Sequence, residues 1–263
     1  MTTHAGQSNI IETEGSVVVI IGILLLTFIA TALQRITGLG FAMLSAPFAV
    51  VVLGTHQGIM LITALAVIAS LLMLPGMWRD IHWNRVLWIG IPATLSIPVA
   101  AWIGTLIDGS IIYLLVGGLV IIGLGAALLM RGTTKPVASR GAQIVTGVGA
   151  GAGAVLAGIG GPAMTIFGVL SRWPVASFAA SLQPIWVMSC ISVLISRSTF
   201  MGSTLPALDW WMWAIAAIGI AVGMAVGQRA VGKVNDRGVF GIVVVLAMTG
   251  AVVSVITGIL ELL

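Results

Sequence analysis

The residues best suited to bind a ligand lie in a short polar stretch, QRITGLGFAMLSAPF, at residues 34–48. Arg35 can present a planar fork of N–H donors to an oxyanion. An arginine at the end of a membrane span can equally fix topology by extending to lipid headgroups. Gly38 and Gly40 permit backbone angles that interrupt a helix. The N–H groups at the start of the next helix would then offer partial positive charge to an anion.

The glycine motif occurs twice in the chain. TGLGFAM at 37–43 is matched by AGIGGPA at 157–163, about 120 residues later. The glycines of the second copy are Gly158, Gly160 and Gly161. Glycines in membrane helices often serve only to let helices pack closely, so either motif alone favours packing. Two copies at matching positions favour a binding site.

Hydroxyl and amide side chains near the two motifs complete the predicted site: Thr37, Ser45, Thr165 and Gln183. Hydroxyls could donate to the oxygens of an anion, but in membrane helices they more often bond the backbone four residues back. Gln183 precedes Pro184, and its amide is expected either to line a cavity or to bond to another helix.

The composition defines the class of protein. The chain has 263 residues, of which 59% are hydrophobic and 7% charged, and its mean hydropathy is +1.20. Too few polar side chains are available to cover the surface of a soluble globule. Apolar runs near the roughly 20 residues that a helix needs to cross hydrocarbon recur along the chain. The sequence therefore predicts an all-α polytopic protein embedded in a lipid bilayer.

Turn signals and charges divide the chain into ten apolar segments. They run approximately over 16–34, 41–53, 57–75, 83–106, 110–130, 141–157, 162–171, 175–196, 207–228 and 238–260. A polar N-terminal tail, 1–15, precedes them. The basic stretch RGTTKPVASRG at 131–141 is predicted to link a first membrane repeat, 16–130, to a second, 142–263.

The basic residues predict the orientation in the membrane. With the N-terminus outside, Arg197 is the only one of the 11 lysines and arginines that falls outside the cytoplasm. This asymmetry is the positive-inside pattern. It predicts that both termini lie outside and that the 131–141 linker is cytoplasmic. Arg197 could attract anions at the external mouth, but a loop cation is the preferred interpretation. The asymmetry also accounts for the net charge of +4 without nucleic-acid binding.

The repeat predicts two halves of opposite orientation. Each half holds five segments, and an odd number makes the second half enter the membrane from the other side. The second segment of each half, 41–53 or 162–171, is short, follows the glycine motif and carries a proline. Corresponding Gly/Pro-broken segments in inverted repeats mark the binding sites of secondary transporters.

Groups that the sequence lacks narrow the function further. All seven acidic residues map to tails, loops or span ends, which disfavours a cation exchanger built on a carboxylate inside the membrane. No histidine or cysteine pair has metal-ligand spacing, and no nucleophile–base pair stands out. We therefore expect no metal, no cofactor and no enzymatic activity. Cys190, the single cysteine, is interpreted as a packing residue.

The two glycine motifs, each soon after an opening helix and each followed by a short segment, resemble those of the TauE/SafE sulfite exporters, also called TSUP or DUF81. The resemblance covers residues 17–260, and the copy GAGAVLAGIGGPAMTIFG is the closer match. The first copy departs from it, with Phe41 in place of Gly161 and Arg35 in place of Val155. The resemblance implies transport of sulfite or organosulfonates across a prokaryotic cytoplasmic membrane.

Together these features predict a secondary transporter that binds a small sulfur-containing anion near the membrane midplane, at the two glycine breaks. A channel-like anion conductor or a permease for another small solute are the alternatives within transport. A membrane-embedded enzyme and a structural scaffold are the alternatives outside it. The substrate, the direction of transport, the coupling ion and any homo-oligomer stay open.

Overall fold

The computed structural model describes residues 25–39, 41–106, 136–158, 160–233 and 235–262, with Gly22 and a few isolated positions between 111 and 129. All regular structure in this part of the chain is helical. The helices are α1 (Leu25–Thr37), α2 (Phe41–Met77), α3 (Trp83–Gly104), α4 (Arg140–Ala157), α5 (Gly161–Leu170), α6 (Val175–Phe200), α7 (Trp210–Ala230) and α8 (Asp236–Leu262). A single 3-10 turn, Trp78–Asp80, follows α2.

Among the described residues, four stretches are long and apolar enough to cross a membrane: His56–Asp80, Trp83–Gly104, Val175–Phe200 and Trp210–Ala230. Each exceeds the roughly 20 residues needed to span hydrocarbon. The predicted class, an all-helical multi-pass membrane protein, is thereby confirmed. The predicted tail at 1–15 and most of the predicted segment 110–130 lie outside the described residues. The count of ten segments and the division into repeats therefore stay predictions.

Helix α2 turns back on itself. Its hydrogen bonding is helical from Phe41 to Met77, with no loop where the sequence predicted one near residue 55. Yet Ala42 and Thr63 line the same small cavity. On a straight helix these two residues would lie about 32 Å apart, at 1.5 Å per residue. A sharp bend must therefore lie between them, in a stretch that contains the helix-disrupting residues Pro47 and Gly54.

The corresponding short segment of the second half is a separate helix. Helix α5 has ten residues, which gives a length of about 15 Å. That is half of the roughly 30 Å hydrocarbon thickness, so α5 cannot cross the membrane alone. It ends in a turn at Ser171 and Arg172, and α6 then begins after Pro174.

Close helix contacts rest on two pairs of glycines. Gly147 and Gly151 place α4 directly against carbonyl oxygens of α3, and Gly223 and Gly227 do the same for α7 against α1. Both pairs have the spacing of the GxxxG motif, in which two small residues one turn apart let two backbones approach. A methyl group on any of the four would collide with the backbone of the neighbouring helix.

Basic side chains gather at one end of the bundle. The guanidinium of Arg85, at the start of α3, lies 4.3 Å from the ring centre of Trp173, in the turn after α5. Arg140, at the start of α4, lies 4.9 Å from the ring centre of Trp88 in α3. Both are cation–π contacts. We call the end formed by these residues the basic end.

Candidate functional site

The two glycine motifs form helix breaks with the same geometry. Helix α1 ends at Thr37 and α4 ends at Ala157; the glycine that follows each, Gly38 or Gly158, has a positive φ of 75° or 69°. Glycine adopts this left-handed conformation without the strain that a side chain would cause. In both cases the glycine N–H donates to the carbonyl four residues back, at 2.7 and 3.1 Å.

The two breaks make reciprocal contacts across the molecule. Gly38 packs directly on the backbone of Ala179 in α6. Gly158 packs on Ile59 in α2, where a methyl group on the glycine would lie 3.2 Å from Cγ1. Ile59 and Ala179 are separated by the same offset as the two glycines. The two residues that support the breaks, Ile59 and Ala179, therefore correspond to each other in the repeat.

A cavity of about 50 Å³ lies between the breaks. The first motif contributes Gly38, Leu39 and Phe41 to its wall, and the second contributes Gly158, Gly160 and Gly161. The rest of the described wall comes from α1, α2, α4 and α6, including Gln34, Ala66, Ala154 and Trp186. Four wall pairs share the repeat offset: Gln34 with Ala154, Gly38 with Gly158, Phe41 with Gly161, and Ala66 with Trp186.

Two helix N-termini open onto this cavity. Phe41 begins α2 and Gly161 begins α5, and both line the wall. Neither first turn holds an acidic residue, and the residue before α5, Gly160, gives no side-chain cap. The first N–H groups of a helix have no partner within it and carry partial positive charge. The described wall contains no charged side chain, so these N-termini are the groups of the described wall that present partial positive charge to the cavity.

Gln34 is the most buried polar side chain of the described cavity wall, at 2% exposure. Its Nε2 donates to Ser70 Oγ at 3.2 Å and to Gln183 Oε1 at 3.1 Å. Its Oε1 has no hydrogen-bond partner among the described residues. The sequence analysis did not single out Gln34. The available signal was an amide one turn before a glycine break in a membrane helix.

A family model confirms the resemblance seen in the sequence. The model of the sulfite exporter TauE/SafE family matches residues 23–255, nearly the whole chain. The chain belongs to the TauE/SafE family. This is a family of membrane transporters of sulfite-type anions. No curated protein and no solved structure shows a significant match to the chain.

The structure brings some of the predicted site residues of this TauE/SafE protein to the cavity wall and leaves others behind it. Gly38, Gly158, Gly160 and Gly161 line the wall. Gly40 lies outside the described residues. Gln183 is fully buried and is not part of the described wall. It supports Gln34 from α6, so the interhelical bond is the role that the structure gives to its amide.

Two of the three predicted hydroxyls bond to the backbone of their own segment. Thr37 Oγ1 donates to Leu33 O at 2.8 Å and accepts from Leu39 N at 3.1 Å, so it closes the end of α1. Thr165 Oγ1 donates to Gly161 O at 3.0 Å. Ser45 is fully buried, and its Oγ has no hydrogen-bond partner in the described structure. None of the three is among the described wall residues.

Arg35 is buried rather than extended toward lipid. It is 7% exposed, which removes the interpretation that it reaches the headgroups. It lies in the last turn of α1, against Gly227 of α7 and within electrostatic range of Asp80. The described cavity wall does not include it. The Cβ of Arg35 therefore faces α7 beside the first break, and its guanidinium lies within electrostatic range of Asp80.

The prediction that Arg197 is a loop cation is wrong. Helix α6 continues to Phe200, one turn beyond the predicted end, and Arg197 is a buried residue of its last turn, with 2% exposure. Its Nη1 donates to the carbonyl of Val155, in the last turn of α4. A cation stabilises the carbonyl end of a helix. Arg197 thereby holds the end of the helix that leads into the second break.

Proposed function

We propose that this TauE/SafE protein carries a small sulfur oxyanion, sulfite or an organosulfonate, across the cytoplasmic membrane. The anion binds in the cavity between the two glycine breaks. The observation that supports this most directly is that two helix N-termini, those of α2 and α5, open onto one cavity whose described wall holds no charged side chain. Such termini bind anions through backbone N–H groups and the helix dipole.

The size of the cavity suits such an anion. A water molecule needs roughly 10–15 Å³ of the space in which a water-sized probe can be centred. A volume of about 50 Å³ on the same measure thus holds a few waters or one compact oxyanion. The proposed binding groups on the wall are Gly38, Gly158, Gly160 and Gly161. Gly40 belongs with them by sequence. Arg35, Thr37, Ser45, Thr165 and Gln183 lie outside the described wall. Thr37 and Thr165 bond to the backbone beside the breaks, Gln183 bonds to Gln34, and Arg35 places a positive charge near the first break.

We further propose that the two halves are inverted repeats that rock against each other to open the cavity to either side in turn. Two contacts support the inversion. Arg35, at the end of α1, lies near Asp80, just before α3. Arg140, at the beginning of α4, lies on Trp88 in α3. The equivalent helices α1 and α4 therefore run in opposite directions relative to α3. The basic end would face the cytoplasm, with both termini outside.

The test is anion uptake into proteoliposomes that contain the purified protein. Sulfite, methanesulfonate, sulfate and acetate are compared at equal concentration, with empty liposomes as the control. We expect uptake of a sulfur oxyanion that saturates with concentration and is accelerated by the same anion on the far side. Uptake that rises linearly without such acceleration would favour the channel-like alternative. Uptake of none of the four anions would contradict the proposed function.

A further inference from the structure

We propose that Trp186 sets the upper size of the anion that the cavity admits, so that sulfite and methanesulfonate bind and sulfonates with longer carbon chains are excluded. The inference rests on the proposed function and narrows its class of substrates. It follows from the position of the indole between the two breaks and from the small residue at the corresponding position of the first half.

The indole of Trp186 reaches from one glycine break to the other. In its five-membered ring, Nε1 donates to the carbonyl of Gly38 at 3.1 Å. At the far edge of its six-membered ring, Cζ3 lies 3.2 Å from the position that a Cβ would take on Gly160. Trp186 also lines the cavity and is partly exposed. The ring is thus held at both ends and forms part of the wall between the breaks.

The indole acts on a ligand through its bulk. Tryptophan has a single hydrogen-bond donor, Nε1–H, and no acceptor. Because that donor is bound to Gly38, only carbon atoms of the ring remain to contact an anion in the cavity. Moving the ring aside for a larger ligand would break this bond to a buried residue, which costs free energy. The wall at Trp186 therefore resists expansion.

The two halves enclose the cavity unequally at this point. Ala66, the counterpart of Trp186 in the first half, lines the same wall with a methyl group. The volume that remains is about 50 Å³, which is room for a few groups of the size of a water molecule. A sulfonate with one methyl group uses that room. Each further methylene would have to displace a side chain of the wall, and Trp186 is the largest one described there.

The experiment compares uptake of methanesulfonate, ethanesulfonate and 1-butanesulfonate into proteoliposomes at equal, subsaturating concentration, each corrected for uptake into empty liposomes. The three anions share one sulfonate group and one negative charge, so they differ only in the length of the carbon chain. We expect methanesulfonate to be taken up at least about ten-fold faster than 1-butanesulfonate, because one methylene too many or too few in a tight pocket already changes the preference by about that factor. Ethanesulfonate should fall between them.

Trp186→Ala tests the residue. The substitution removes the indole and gives the second half the same small side chain that Ala66 has in the first. We expect the ratio of methanesulfonate to 1-butanesulfonate uptake to fall to about one, whatever the absolute rates become. A substitution that only loosened the fold would lower the uptake of both anions and leave their ratio unchanged.

Trp186→Phe separates bulk from hydrogen bonding. Phenylalanine cannot donate to Gly38, but it keeps an aromatic ring on the wall. We expect its ratio to lie between those of the wild-type protein and Trp186→Ala. Trp88→Ala is the matched control, because Trp88 is a partly exposed tryptophan of α3 that lies outside the described wall and contacts Arg140. This control should keep the wild-type ratio.

The outcomes separate the two proposals. A wild-type protein that takes up 1-butanesulfonate as fast as methanesulfonate overturns the size limit and leaves the proposed function intact. A wild-type ratio in folded Trp186→Ala overturns the role of Trp186 in the same way. If Trp186→Ala does not fold, Trp186→Phe decides, and a wild-type ratio in that variant overturns the role. Absence of uptake for sulfite and for all three sulfonates removes the proposed function itself.

Discussion

At the scale of single residues, each glycine break requires a left-handed backbone conformation and a close contact with a neighbouring helix at the same glycine. Gly38 combines a left-handed φ of 75° with direct contact to the backbone of Ala179. Gly202 has a similar φ of 61° but nothing near the position of a side chain. The pair therefore allows the cost of backbone strain to be separated from the cost of lost space.

We predict that Gly38→Ala destabilises the protein by about 2–5 kcal/mol, the sum of left-handed strain and overpacking. Gly202→Ala should cost only the strain, about 1–2 kcal/mol. Thermal or denaturant unfolding of each variant in detergent measures these two losses of stability. Equal losses for the two variants would mean that α6 yields at Ala179, which would contradict the tight contact between the first break and α6.

Residue types alone revealed some of the site. The glycines of the breaks were predictable, since a left-handed turn selects glycine locally and the motif occurs twice. The hydrogen bonds of Gln34 were not predictable, because they go to Ser70 and Gln183, which are far from it in sequence. Arg197 was misplaced because the end of α6 has no Gly or Pro signal before Phe200, and the charge itself was taken as the boundary.

At the scale of elements, the glycine pairs of α4 and α7 determine how closely helices approach. Gly151 faces the carbonyl of Ala93 and the hydroxyl of Ser96, both in α3. Gly149, two residues earlier on the same helix, has ordinary space, with Ala163 Cβ 3.6 Å from the position of a methyl group. The two positions share a helix and a residue type but differ in what they contact.

We predict that Gly151→Ala costs about 1–3 kcal/mol, because α3 and α4 must move apart to accept the methyl group. Gly149→Ala should be neutral or slightly stabilising, since alanine is the better helix former. Unfolding of the two variants in the same detergent measures the difference. A Gly151→Ala variant as stable as the Gly149→Ala variant would show that the α3–α4 contact is not close.

The course of α2 shows where sequence patterns fail for elements. A turn was expected near residue 55, and the chain does reverse in this region, as the shared wall positions of Ala42 and Thr63 require. The hydrogen bonding nevertheless remains helical from Phe41 to Met77. Glycine, threonine and histidine in succession predict a change of direction, but they do not show whether the backbone leaves the helical conformation to achieve it.

At the scale of the whole molecule, the repeat offset relates the two breaks, their supporting positions on α2 and α6, and four pairs of wall residues. Composition was sufficient to predict the membrane class, and the motifs were sufficient to predict the family. The pairing of helices was beyond the sequence, because apolar segments of similar length can pack in many ways. The inverted orientation of the halves remains a proposal, supported by the contacts of Arg35 and Arg140.

The central claim is that the cavity between the breaks is the anion site, and binding of sulfite measured by titration calorimetry tests it most directly. Ala66→Leu adds three carbon atoms at the wall of a cavity of about 50 Å³. Ala221→Leu makes the same change on an exposed face of α7 and serves as the control. Both variants must first show the wild-type unfolding temperature and elution volume.

We predict that the wild-type protein and Ala221→Leu bind sulfite alike, and that Ala66→Leu binds it at least about ten-fold more weakly, a loss of ~1.4 kcal/mol or more. Folded Ala66→Leu that binds sulfite as tightly as the wild-type protein would contradict the account and place the anion elsewhere.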